Sequence, residues 1–128
     1  MAGPLPENAR RLLEGKNFAH LATLMPDGSP QVSPVWVHVD GDDVIVNTSE
    51  GRAKTRNVRR DARVALSIYD QQNPYRKVTI RGHVVEITHE GGDEGIDALS
   101  MKYEGEPFGK PQGQVRVILR IRPERVTD

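Results

Sequence analysis

Apolar residues recur at every second position through most of this chain, a period that only strands with one buried face satisfy. In the segment Gln31–Val39, Val35, Val37 and Val39 fall on one face, and Trp36 and His38 fall on the other. The pattern returns in Arg63–Tyr69 through Val64, Leu66 and Ile68, and in Gln114–Ile121 through Val115, Val117, Leu119 and Ile121. Phe18–Met25 and Asp43–Asn47 are two further strands, and Lys77–Thr88 is a long one. Along it the apolar phase slips from Val78 and Ile80 to Val85 and Ile87, which predicts a bulge near Gly82. Pro26-Asp27-Gly28 and Asp40-Gly41 are turn signals, so the first three strands are predicted to form an antiparallel meander.

Three stretches leave this period. Leu5–Glu14 reads as a short helix, with Pro6 in its first turn and Gly15 past its end. Arg52–Arg60 reads as a second, with capping residues offered by Thr48 and Ser49. The third runs from an N-cap at Asp93 to Tyr103, with Ile96, Leu99 and Tyr103 at helical spacing. Glu104–Gly113 reads as a loop. The fold class is therefore mainly β, with about six antiparallel strands and short helices. Each apolar face needs a cover. A six-stranded antiparallel β-barrel supplies one by curling the sheet on itself, and a two-layer sheet-and-helix sandwich supplies another; periodicity does not separate them. At 128 residues, without repeats or a long linker, one domain over 1–128 is expected.

Composition narrows the function classes. Eighteen Lys and Arg balance 18 Asp and Glu, so the chain is not a generic polyanion binder and no nucleic-acid role is expected. Cysteine is absent, which removes disulfides, thiolate metal sites and a cysteine nucleophile, and accords with the cytoplasm. No apolar run reaches the roughly 18–20 residues that cross a bilayer, and Met1–Arg11 holds no signal-type apolar segment. The four histidines show no metal-ligand spacing, so no metal is expected.

Charge is nevertheless uneven. Glu50–Arg63 carries Arg52, Lys54, Arg56, Arg59, Arg60 and Arg63 against Glu50 and Asp61, a net +4 that the remainder of the chain offsets. This cluster opens a helix directly after a strand. Unpaired N–H groups and partial positive charge at a helix start suit a phosphate, and Thr48, Ser49, Arg52 and Lys54 are placed to join them. A solvated basic helix with surface ion pairs is the other reading. A second candidate is Ser29–Val37. Pro30 and Pro34 imply an edge or bulge with free backbone groups, and these lie beside the chain's one tryptophan, where the polar edge of a flat heterocycle would fit. A third is the polar loop Gln71–Lys77, with Tyr75, Arg76 and Lys77. No nucleophile elbow, Walker loop or carboxylate pair is present, so any reactivity falls to a cofactor.

Taken together, Leu21–Trp36, Asn47-Thr48, Gly51-Arg-Ala-Lys-Thr-Arg-Asn57 and Asp61–Leu66 resemble the pyridoxamine 5′-phosphate oxidase-like superfamily, and within it the deazaflavin (coenzyme F420)-dependent reductases of the B group. Asn73-Pro-Tyr-Arg76, Ile80–Glu86 and Val115–Arg125 continue the resemblance over almost the whole chain. The resemblance implies an FMN-binding-type split β-barrel, and a homodimer with cofactor sites at the subunit interface. It implies that Arg52 and Lys54 hold the cofactor phosphate with Thr48 and Ser49 beside them, and that Ala53 and Asn57 belong to the same binding run. Ser33, Pro34, Val35, Trp36 and Val37 would lie along the ring. Tyr75 and Lys77 would approach the ring or the substrate, from the other subunit. The implied activity is hydride transfer from reduced F420 to a small electron-poor acceptor, with Tyr75 or Arg76 stabilising charge or delivering a proton. FMN-dependent oxidoreduction and a non-catalytic cofactor carrier are the alternatives. Surplus cations at Arg56, Arg59 or Arg60 would favour F420, which carries an acidic tail. Pyridoxamine 5′-phosphate oxidases themselves end in a segment bearing Arg and Trp. No Trp follows Trp36 here, so vitamin B6 oxidation is not expected.

Overall fold

A computed structural model describes residues 4–109 and 113–127. Residues 1–3 and 110–112, which belong to the expected N-terminal and Glu104–Gly113 segments, lie outside the described residues. The element order is α1 (Glu7–Glu14), β1 (Ala19–Leu24), β2 (Pro30–Val35), β3 (Val37–Asp40), β4 (Asp43–Ser49), α2 (Ala53–Arg60), β5 (Arg63–Asp70), β6 (Asn73–Thr88), α3 (Gly92–Glu104) and β7 (Arg116–Thr127). Among the described residues no helix is long and apolar enough to cross a membrane.

The seven strands form one antiparallel sheet in the order β2-β1-β5-β6-β7-β4-β3. Its two outermost strands, β2 and β3, are consecutive in sequence and separated by Trp36 alone. One residue cannot span an open sheet, so the sheet must roll until its ends meet. The expected strand Gln31–Val39 is therefore two strands, which raises the count from six to seven and replaces the meander: β2 pairs with β1 and β3 with β4, but not with each other. Burial decides between barrel and sandwich. Residues of all seven strands, from Leu21 and Val35 through Leu66 and Ile80 to Val37, Val46 and Leu119, join one apolar cluster. Leu5, Ala9, Leu12 and Leu13 of the α1 region join it too.

The break at Trp36 frees backbone groups that must find partners. The Tyr103 hydroxyl accepts the Val37 N–H at 3.1 Å and donates to the Asn17 carbonyl at 2.6 Å. Lys102 Nζ donates to the carbonyls of Val37 at 2.6 Å and Leu13 at 2.8 Å. Burial pushes the Lys102 ammonium down to about 8. Thus the C-terminal turn of α3 fastens the seam of the rolled sheet.

Other expectations shift in detail. Thr48 and Ser49 do not cap α2. They pair with Val117 and Arg116 of β7, so the ladder takes them into β4, and Arg52 sits at the cap without a side-chain bond. Pro6 and Gly91 occupy the caps of α1 and α3, and Asp93 falls inside the first turn of α3. Asn73–Arg76, expected in a loop, begins β6. Val115 precedes β7 and is exposed. The bulge near Gly82 exists, but the extra residue is Glu124 of β7. Arg81 pairs with Arg125 and Gly82 with Pro123, and a Cβ on Gly82 would stand 2.2 Å from the Arg122 carbonyl oxygen. The phase slip comes later. Val78, Ile80 and Val84 keep one phase, and the extra residue Val85 then turns Ile87 toward the core.

Two expectations follow. Tyr103→Phe strands two buried backbone groups, and should cost ~2–4 kcal/mol in denaturant unfolding without changing the fold. Glu50 bridges Arg59 and His89, and the Arg59 bond, followed by the His89 bond, holds its carboxyl at about 2 against an ordinary 4.5. A lowered folded-state value gives stability that is complete above 4.5 and is lost as pH falls toward 2. Glu50→Gln should therefore be less stable than the parent at pH 7, and the gap should close over that acid interval in pH-dependent thermal melts.

Candidate functional site

The C-terminal end of β4 and the start of β7 run side by side and meet α2 at a tight turn. Gly51, at φ +88°, makes that turn, and the Thr55 hydroxyl closes it by donating to the Ser49 carbonyl at 2.9 Å. Glu50 pins it from outside through paired bonds to Arg59 at 2.5 and 2.7 Å. The turn leaves the N–H groups of Ala53, Lys54 and Thr55 without a hydrogen bond among the described residues. Such a helix start attracts anions.

A cleft of about 300 Å³ opens beside it. Thr48, Ser49, Arg52 and Lys54 form one side, and Pro34, Val35 and Trp36 form another. Phe108, Gln114 and Arg116 complete the wall. Trp36 is stacked on Tyr103, with ring centroids 5.2 Å apart and planes 6° apart, and Phe108 meets it edge-on at 6.3 Å. These contacts fix a flat aromatic surface beside the cations. The Trp36 backbone N–H has no backbone partner among the described residues, because the strand is broken there.

The edge position expected for Ser29–Val37 holds. The Met25 N–H bonds the Ser29 carbonyl at 2.8 Å, so Ser29, Gln31, Ser33 and Val35 occupy the bonded positions toward β1. Pro30 and Pro34 alternate with them and turn toward the free edge, where a missing N–H breaks no ladder bond.

The electrostatics of the cleft are one-sided. Arg52, Lys54 and Arg116 line it, and no carboxylate does among the described residues. Lys54 Nζ reaches the Ser33 hydroxyl at 3.3 Å. Burial, then the charges of Arg52 and Arg116, lower the Lys54 ammonium below its ordinary value. Arg116 is lowered by burial and by Arg52, with Asp93 acting the other way. Cations that depress one another mark a place that favours a negative guest.

The remaining basic residues of Glu50–Arg63 have protein partners. Arg56 donates to the Gly51 carbonyl at 2.6 Å, Arg60 to the Leu24 carbonyl, and Arg63 to both oxygens of Asp61. The cluster thus divides into two cations at the cleft and four with internal partners.

Seven of the sequence-predicted residues line the cleft: Pro34, Val35, Trp36, Thr48, Ser49, Arg52 and Lys54. Ser33 adjoins it through Lys54, and Ala53 contributes a helix-start N–H. Asn57 departs from expectation. It is 2% exposed and its amide bonds Thr23 Oγ1 at 3.0 Å, tying α2 to β1. Val37 departs likewise, since it is fully buried and both its backbone groups are engaged at the seam. Tyr75, Arg76 and Lys77 lie apart from these residues, on a second cleft of about 640 Å³ shared with Arg11, Lys16 and Asp70. Tyr75 is 91% exposed.

Sequence reading missed Arg116, Gln114 and Phe108. The signal for Arg116 is a cation between Val115 and Val117, at the start of the last strand. Alternation by itself assigns such a residue to solvent.

A family model described as pyridoxamine 5′-phosphate oxidase matches residues 5–128. An F420 reductase of known structure is 34% identical, covering 96% of this chain and 98% of that one, with a TM-score of 0.86. A conserved hypothetical protein from Mycobacterium tuberculosis is 24% identical over 98% of this chain and 86% of its own, with a TM-score of 0.73. HupZ from Group A Streptococcus is 18% identical over 95% and 91%, with a TM-score of 0.69; these two share the fold. A rolled sheet whose two edges meet at Trp36, matched over residues 5–128, makes this chain a member of the pyridoxamine 5′-phosphate oxidase family, with its split β-barrel.

Proposed function

We propose that this protein is an F420-dependent oxidoreductase acting on a small, electron-poor organic acceptor. The observation that carries the reading is the cleft itself, which sets Arg52, Lys54 and Arg116 against the Trp36–Tyr103 stack with no carboxylate between them. The 34% identity to an F420 reductase over nearly the full length of both chains supports the deazaflavin. When bound, the deazaflavin supplies a hydride from its C5.

This chain's residues supply position and charge. Arg52, Lys54 and the N–H groups opening α2 hold the phosphoryl oxygens by charge-assisted bonds. The Trp36 N–H offers one donor to the polar edge of a ring. Thr48 and Ser49, both nearly fully buried, close the floor and exclude water. At about 300 Å³ the cleft is at the lower limit for small-molecule sites, so a phosphorylated tricyclic guest extends beyond it. A second copy of the chain supplies the missing wall in this reading. It also brings the partner subunit's β5–β6 hairpin, whose exposed tyrosine is the proton donor and whose arginine stabilises developing charge.

FMN is the second reading. Its support is that Arg56, Arg59, Arg60 and Arg63 are all engaged, which leaves the α2 segment no free cation for an acidic tail.

Titration with each coenzyme, followed by ring fluorescence, tests the assignment. F420 should bind, and the double change Arg52→Ala with Lys54→Ala should weaken it about 100-fold or more, as two charge-assisted bonds are lost. FMN binding with F420 ignored moves the reading to FMN, and tight F420 binding with no oxidation across a broad acceptor panel makes the protein a carrier. Tyr75→Phe should lower kcat by about 100-fold while leaving the coenzyme Kd within about twofold. An unchanged kcat removes the tyrosine from the chemistry.

A further inference from the structure

Arg116 is 8% exposed, yet its hydrogen bonds go to neutral groups. Nε donates to Asn47 Oδ1 at 2.9 Å, Nη1 donates to Gln114 Oε1 at 2.8 Å, and the guanidinium lies over the Phe108 ring at 5.1 Å. Asp93 is the one carboxylate whose charge acts on it, and no carboxylate hydrogen-bonds it among the described residues; a guanidinium so removed from water is costly unless an anion arrives. Its surroundings are built to hold it there. The Asn47 amide donates onward to the Gly92 carbonyl at 2.9 Å, fixing both ends of the relay. The N-terminal turn of α3 is cleared for this contact: a Cβ on Gly92 would fall 2.9 Å from both the Cβ and the carbonyl oxygen of Arg116. On Gly95 it would fall 3.1 Å from Asn47 Nδ2.

We propose that Arg116 is an anion-binding, specificity-determining residue of the cleft, donating from its remaining N–H groups to a phosphoryl oxygen of the guest. The inference rests on the phosphorylated-cofactor reading above and adds a selective role to it. Lys54 is a flexible point charge, whereas Arg116 is clamped on two sides and stacked on a third, so it fixes where the phosphoryl group sits. It thereby separates phosphorylated ligands from their dephosphorylated forms. Gln114 is the lever for testing this. Its carbonyl oxygen already accepts from Nη1, so Gln114→Glu keeps that bond while adding a negative charge that competes with the guest.

The experiment measures affinities for whichever coenzyme binds, F420 or FMN, and for its phosphate-free ring-and-ribityl fragment. Arg116→Met should weaken the phosphorylated form by about 10–100-fold and the fragment by less than about threefold. Gln114→Glu should lower affinity for the phosphorylated form about fivefold or more, with unchanged Tm. Equal losses for both forms in Arg116→Met would make Arg116 merely structural. If Arg116→Met does not fold, unchanged discrimination in a folded Gln114→Glu overturns the proposal. If the parent binds neither coenzyme, the cofactor reading fails, and inorganic phosphate then decides for Arg116 through the fluorescence of Trp36, the sole tryptophan. A phosphate response lost in Arg116→Met upholds the role, and a response that survives the change rejects it.

Discussion

The architecture depends on a single discontinuity, the one residue between β2 and β3. Each strand edge of a rolled sheet must be hydrogen-bonded, solvated or covered. Here the chain itself carries the sheet across its own seam, and the N–H and C=O of Val37 are left without strand partners at that point. A tyrosine hydroxyl and a lysine ammonium from the end of α3 replace those partners. Tyr103 also stacks on Trp36, so the contact that closes the barrel orients the aromatic wall of the cleft. Stability and site geometry therefore share one set of atoms.

The second constraint is the distribution of counter-charges. Arg59, Arg63 and Arg120 each meet carboxylates in paired or networked bonds, and Arg56 and Arg60 meet backbone carbonyls. Such exposed pairs contribute little to stability individually, but they remove those cations from competition for a ligand. Arg52, Lys54 and Arg116, none of which bonds a carboxylate among the described residues, face a common space. The positive character of the cleft thus follows from which cations the fold gathers around one space, more than from the number in any segment.

Sequence and structure diverge where two local rules compete. Thr48 and Ser49 have the side chains of helix caps, but the ladder with β7 claims their backbone. Asn57 stands inside the basic run, yet it is buried with Thr55 and Val58 where α2 packs on the sheet, and its amide is taken up by Thr23. Val85 and Ile87 carry the apolar phase that alternation reads, but bulges move the phase change from Gly82 to Val85. Neither Tyr75 nor Lys77 shares a cleft with Arg52, because β6 extends further than its polar start suggests.

Period-two patterning located the strands apart from the break at Trp36 and the start of β6, and Gly, Pro and Asp placed turns between them, because side-chain direction and backbone freedom are local properties. The phosphate-suited helix start was legible for the same reason, since it needs only a strand, a turn and adjacent cations. Closure of the barrel, the inward role of Asn57 and the recruitment of Arg116 were decided by tertiary structure. Each depends on which strand lies next to which, and that pairing is set by burying one continuous apolar core among residues up to a hundred positions apart.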